Sequence, residues 1–194
     1  ADLTREGGVF ERLAIPEVFV FTPRRFSDRR GYFSETFNQA LLEPMTGPCA
    51  WVQDNVSRSG PKGVLRGLHF QIPPFAQDKL VRCVRGRVLD VSVDIRHGSP
   101  TFGRHVQATL TEAGGEQIFV PKGFAHGFLT LEPDCEIAYK VTHYFSAAHD
   151  RAVRWDDPAL GVDWGVDAAD VVMSDKDALA PLLSDMPVHF QYGG

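Results

Sequence analysis

Two histidines stand in segments that could carry chemistry. His69 lies in Val64-Leu65-Arg66-Gly67-Leu68-His69-Phe70-Gln71, and His126 in Pro121-Lys122-Gly123-Phe124-Ala125-His126-Gly127-Phe128. An imidazole titrates near neutral pH, so either ring could move a proton, ligate a metal or only satisfy a core hydrogen bond. Tyr139 sits in an alternating run with Cys135, Ile137 and Val141 on its own face and Lys140 on the other, which makes an inward phenol reasonable. Ser174 precedes Asp177 by three residues, a spacing that caps a helix, so that carboxylate has a structural use available to it. The chain carries 20 Lys+Arg against 25 Asp+Glu, a net charge of −5, without a basic cluster. A duplex nucleic-acid binder needs a basic face, so that class is excluded, and any anionic ligand must meet locally placed arginines.

The elements that must hold these residues read as strands. Gly (18) and Pro (13) recur between short apolar or alternating runs in the 194 residues. Strands are expected at Val18 to Phe21, Lys79 to Val84, Arg87 to Ile95, Arg104 to Leu110, Gln117 to Val120, Gly127 to Leu131 and Cys135 to Val141. The run from Leu89 to Ile95 alternates most clearly, with Asp90, Ser92 and Asp94 expected on a wet face. A short helix is expected from Asn38 to Leu42, stopped by Pro44, and a C-terminal one from Ser174 through Leu183, interrupted by Pro181. These elements make one β-rich domain over residues 1–194 with a helical appendage at about 174–184, and a double-sheet jelly roll closes such a strand set. With 43% hydrophobic residues and no apolar run near the ~20 residues of a membrane helix, a soluble protein with no membrane partner is expected. Cys49, Cys83 and Cys135 form no C-x-x-C pair, and the first eight residues show no apolar signal region, so a reducing cytoplasm is the expected location.

The P-x-G-x-x-H of Pro121 to His126 resembles the second motif of the cupin superfamily, whose metal-dependent members carry a His-x-His pair in the first motif. Here that counterpart is His69-Phe70-Gln71, and two imidazoles without an obvious carboxylate partner make a poor metal site. No metal is therefore expected. A closer resemblance joins Val64 to Gln71 with Asp28 to Glu35, Gln53 to Ser57, Lys79 to Cys83, Asp90 to Arg96, Ser99 to Gly103, Tyr139-Lys140, Trp155 to Pro158 and Ser174 to Asp177. In this ordered set, from about Val18 to Leu183, the chain resembles the dTDP-4-dehydrorhamnose 3,5-epimerases.

The resemblance implies a cupin-type jelly roll that inverts C3 and C5 of a dTDP-linked 4-keto-6-deoxyhexose through an enolate, without a cofactor. It implies His69 as the base, Asp177 as its carboxylate partner, Lys79 beside the developing O4 charge and Tyr139 as the acid on the opposite ring face. Arg66, Arg30 and Lys176 match positions serving the diphosphate, and Phe33 and Glu35 match positions holding the base. Gln53, Asn55, Asp90, His126 and Tyr144 complete the implied binding set, with Asp90 pairing to a pocket group. It also implies a strand-exchanged homodimer in which Arg30, Phe33 and Glu35 reach the neighbouring pocket. Inversion of one centre only is the near alternative. A metal-dependent cupin oxygenase and a non-catalytic sugar-binding cupin are the readings from other classes.

Overall fold

The computed structural model describes residues 3–5 and 7–193. In chain order the strands are β1 (Leu3–Arg5), β2 (Gly8–Arg12), β3 (Phe19–Pro23), β4 (Arg25–Asp28), β5 (Gly31–Ser34), β6 (Gln53–Ser59), β7 (Leu65–Gln71) and β8 (Lys79–Arg85). There follow β9 (Arg87–Asp94), β10 (Arg96–His97), β11 (His105–Thr111), β12 (Gln117–Val120), β13 (Phe124–Thr130), β14 (Cys135–Val141), β15 (Asp150–Ala152) and β16 (Phe190–Gln191). One antiparallel sheet runs β1-β2-β3-β12-β8-β14-β6 and the other β11-β9-β13-β7-β15. They face each other as a cupin-type jelly roll. Val81, Cys83, Ile118 and Ile137 of the first sheet meet Val88, Val106, Leu110 and Phe128 of the second in a buried apolar layer.

Both sheets are also covered outside. Leu42 of helix α1 (Gln39–Thr46) packs with Phe10, Phe19, Phe21 and Phe119 on the larger sheet. Trp155, Leu160, Trp164 and Leu183 of the C-terminal segment cover Leu68, Phe70, Val91 and Val93 of the smaller one. Because the smaller sheet is buried on both faces, the expected wet face of β9 does not exist: Asp90, Ser92 and Asp94 are each 0% exposed. They share the inward face with Val88. The alternation was real, but its polar side points into the sandwich.

The two expected helices also differ from the structure. Helix α1 continues through Pro44 despite the lost N–H bond and the crowding of the preceding turn by the ring, its ends held by Asn38, which caps Leu41 N at 3.3 Å, and by Gly47 N, which donates to the Glu43 carbonyl at 2.9 Å. The C-terminal helix shortens to α2 (Asp175–Ala178), one turn capped at Leu179 before Pro181, and a 3-10 turn follows at Leu183–Asp185. Ser174 Oγ does cap Asp177 N, at 3.2 Å.

Asp94 shows how a charge is tolerated in this interior. Its carboxylate accepts from Arg96 Nε (2.9 Å) and Nη2 (2.8 Å), Ser99 Oγ (2.6 Å) and Thr101 Oγ1 (2.6 Å). Burial pushes its pKa up, but these donors outweigh it and hold the group below its ordinary 3.8. Their stabilisation is therefore complete above pH 3.8 and lost as pH falls through the lower native value. Asp94→Asn is expected to lower the unfolding free energy at pH 7 by about 3 kcal/mol in urea titration, a deficit that shrinks in strong acid; an unchanged midpoint would contradict it.

Candidate active site

At one end of the sandwich the apolar layer gives way to a cavity of about 280 Å³, lined by Gln53, Asn55, His69, Phe70, Gln71, Gln77, Lys79, Tyr139, Phe145 and Asp150. Strand registers explain the convergence. Asn55 pairs with Tyr139 and Gln53 with Val141, so these two polar residues of β6 share the inward face of β14. Lys79 opens β8 opposite Val141 and Val120. From the smaller sheet, His69 stands opposite His126 and Ala152, and Gln71 opposite Asp150. The β7–β13 register shifts between His126 and Phe128, and Arg66 pairs with Phe128. That extra residue on β7 brings Arg66 and His69, an odd number of positions apart, to the same side. Gly67 makes the bulge possible: its φ is +133°, and a Cβ there would lie 2.6 Å from Gly127 Cα.

His69 Nε2 lies 2.5 Å from Asp177 Oδ1. Asp177 is 3% exposed, and its second oxygen accepts from Gly67 N at 3.2 Å. Burial raises the Asp177 pKa, but the hydrogen bond and charge of His69 and the Gly67 amide more than reverse that, holding it below the carboxylate norm. An ionised carboxylate can only accept, so Nε2 carries the hydrogen and Nδ1 keeps the lone pair. Across the cavity, burial is the main cause that raises the Tyr139 pKa; the nearby Arg66 charge opposes it and Asp150 adds to it. The phenol stays protonated at neutral pH. Arg66 is anchored by Nε to Ser59 Oγ (3.2 Å) and by Nη2 to the Arg58 carbonyl (3.1 Å).

Lys79 is 9% exposed. Burial lowers its pKa to about 8 against the opposing charges of Asp150 and Asp90. It is still mostly a cation at pH 7. His126 Nε2 is 2.7 Å from Asp90 Oδ2, and both side chains are buried. Among the described residues, no three His, Cys, Asp or Glu side chains converge as a metal-ligand set.

Of the residues expected at the site, His69, Lys79, Tyr139, Gln53 and Asn55 line the cavity. Asp177, Asp90, His126 and Arg66 stand directly behind or beside it. Lys176 reaches it only through an ion pair to Asp150. Tyr144 is 61% exposed and does not line the cavity. Arg30, Phe33 and Glu35 do not line this cavity. Arg30 lies between β4 and β5, paired with Asp28 and 84% exposed in its side chain, and Phe33 on β5 is 70% exposed. Glu35 accepts from Asn38 Nδ2 and lines a different hollow, with Asp54, Arg82 and Lys140 on the outer face of the larger sheet. Gln77, Phe145 and Asp150 also line the cavity but belong to no alternating run or motif, and Gln71 joins them where the cupin pattern would place a second histidine.

The family model for dTDP-4-dehydrorhamnose 3,5-epimerase matches residues 12–185. A curated relative of that name from Sinorhizobium fredii is 51% identical over 183 residues, covering 94% of this chain and 93% of its own. The solved dTDP-6-deoxy-D-glucose-3,5-epimerase of Legionella pneumophila, in complex with dTDP-4-keto-L-rhamnose, superposes with a TM-score of 0.90 at 40% identity, covering 95% of this chain and 98% of its own. A 3'-monoepimerase from Streptomyces bikiniensis, in complex with dTDP-quinovose, gives 0.82 at 34% identity over 90% and 87% of the two chains. The chain belongs to the dTDP-4-dehydrorhamnose 3,5-epimerase family.

The electrostatics of Lys79 can be read directly. Its ε-ammonium, followed by nitrogen NMR in labelled protein, is expected to titrate with a midpoint near pH 8; a midpoint near the ordinary 10.5 would show that the cavity does not desolvate it.

Proposed function

We infer that the protein is an isomerase that inverts C3 and C5 of dTDP-4-dehydro-6-deoxy-D-glucose to give dTDP-4-dehydro-L-rhamnose. One observation carries this reading: His69 from one sheet and Tyr139 from the other line a single cavity beside a buried lysine. Inversion needs a base and an acid on opposite faces of the sugar, because reprotonation from the same side restores the substrate. The C4 ketone acidifies the C–H bonds at C3 and C5. His69 Nδ1 takes the proton from carbon, the C–H electron pair moves into the enolate, and Lys79 stabilises the charge on O4. Tyr139 then delivers its hydroxyl proton to the opposite face of the same carbon. Asp177 holds the tautomer and stabilises the imidazolium. Solvent returns a proton to the phenol and accepts one from the imidazolium before the second centre reacts.

Arg66 supplies a fork for the diphosphate. The distance of Arg30, Phe33 and Glu35 from their own cavity supports a homodimer in which the β4–β5 hairpin serves the neighbouring subunit. Phe26, Tyr32 and Phe33 expose 50%, 59% and 70% of their surface there, more apolar ring than a free hairpin carries at no cost. Cytoplasmic location is proposed on three unpaired cysteines. Among the described residues, no helix is long and apolar enough to cross a membrane.

In deuterated water, product is expected to carry deuterium at both C3 and C5; label at one carbon only would mark a single-centre epimerase, and none would refute the reaction. His69→Ala and Tyr139→Phe are each expected to lower kcat by about 10²–10⁴-fold, the usual worth of a general acid or base. Mixing inactive His69→Ala and Arg30→Ala subunits should restore about a quarter of wild-type activity, the statistical share for sites built across a two-fold interface. No recovery would place Arg30 outside the neighbouring site.

A further inference from the structure

The mouth of the cavity is bounded by loops 72–78 and 142–149. Gln71, the last residue of β7, is 3% exposed, and its carboxamide is committed entirely to their backbones. Nε2 donates to the Phe75 carbonyl at 2.8 Å and the Tyr144 carbonyl at 3.1 Å, while Oε1 accepts from Ser146 N at 2.7 Å. From the opposite sheet, Gln53 Oε1 accepts from Phe145 N at 3.0 Å, and its Nε2 is held by Asn55 Oδ1 at 2.9 Å. Three consecutive loop residues are thus fixed by two glutamines rooted in different sheets. The first loop is tied to the second as well: Gln77 Nε2 donates to the His143 carbonyl at 2.8 Å, and the Phe75 ring packs on His143 and His149 at 4.7 and 4.4 Å.

The chemistry of the position is specific. Two donations and one acceptance from one buried side chain require a carboxamide, since a carboxylate has no hydrogen to give and an imidazole has only two ring nitrogens. The residue stands where metal-dependent cupins place a second histidine, and here its carboxamide anchors the two loops. The carboxamide sits on the cavity wall beside the proton-transfer groups but has only acceptor capacity left, which makes it unsuited to donate to a substrate. What it fixes is the segment carrying Phe145, a residue that is 60% exposed and borders the cavity.

We propose that Gln71, acting with Gln53, is a positioning residue: it pre-organises loop 142–149 so that Phe145 closes one side of the mouth on the bound nucleotide sugar. This rests on the epimerase reading given above. Without the anchor, the loop must be ordered at each binding event, a cost that appears in affinity and leaves proton transfer unchanged.

Gln71→Met keeps side-chain length and removes all three bonds. It is expected to raise KM about tenfold, a loss of ~1.4 kcal/mol, with kcat within about threefold of wild type and dTDP affinity in calorimetry weakened by the same factor as KM. Phe145→Ala is expected to weaken dTDP binding, and adding Gln71→Met to it should cost less than a further twofold, because both act through one loop. Full additivity, or a collapse of kcat at unchanged KM, would overturn the proposal. Should Gln71→Met fail to fold, native-state hydrogen exchange of the wild-type protein decides: the Phe145 and Ser146 amides are expected to be protected, and exchange at free-loop rates would overturn the anchoring. The exchange and dTDP measurements need no turnover, so a protein that incorporates no deuterium into sugar would refute the epimerase reading while leaving the clamp to be judged separately.

Discussion

The carboxylate of Asp177 is the constraint on which the site depends. It is buried, ionised and bonded to the His69 ring and the Gly67 amide, so removing either partner would leave a charge in a dry interior. Its position is set by a single helical turn that Ser174 caps, and that turn is held against the smaller sheet by the C-terminal segment containing Trp155, Trp164 and Leu183. A covering segment whose packing is apolar therefore delivers one oxygen to one nitrogen. The same bond decides which imidazole nitrogen keeps a lone pair, linking the packing of the C-terminus to the tautomer of that ring.

A second consequence concerns the interior itself. In most sandwiches the space between the sheets is filled by apolar side chains, and here that holds at one end only. Toward the other end the inward positions carry Asp90, Lys79, Gln53, Asn55, His126 and Gln71, each tied to a neighbour or facing the cavity. Burial contests the charge of Lys79 while Asp150 and Asp90 keep the proton on, the state that the proposed oxyanion stabiliser needs in a desolvated site. The polar groups cost stability that the apolar end and the two outer coverings supply.

Much of the fold was legible in the sequence. The strands at Gln117–Val120 and Cys135–Val141 follow from their apolar runs, and the inward orientation of Tyr139 follows from period two. Strands β6 and β7 were not foreseen from pattern, and the reason is physical. The inward face of β6 is Gln53, Asn55, Ser57 and Ser59, polar because it lines the site, while exposed Val56 points outward, so the usual signal is inverted. In β7 the bulge at Gly67 breaks the period that would have announced it. The wet face assigned to β9 failed for the same reason: alternation reports that two faces differ, and which one meets water depends on what covers them. Site residues with a motif, such as His69 and Asp177, were visible through resemblance. Phe145 and Asp150 were not, because only the folding of loop 142–149 and the pairing of β15 with β7 bring them to the cavity.

The central claim is that an imidazole and a phenol from opposing sheets address opposite faces of one hexose ring. A crystal structure with an unreactive dTDP-hexose bound tests it most directly. The ring is expected between His69 Nδ1 and the Tyr139 hydroxyl, with O4 toward Lys79 and the diphosphate toward Arg66. A sugar held elsewhere, or contacted by both side chains on the same face, would contradict the account.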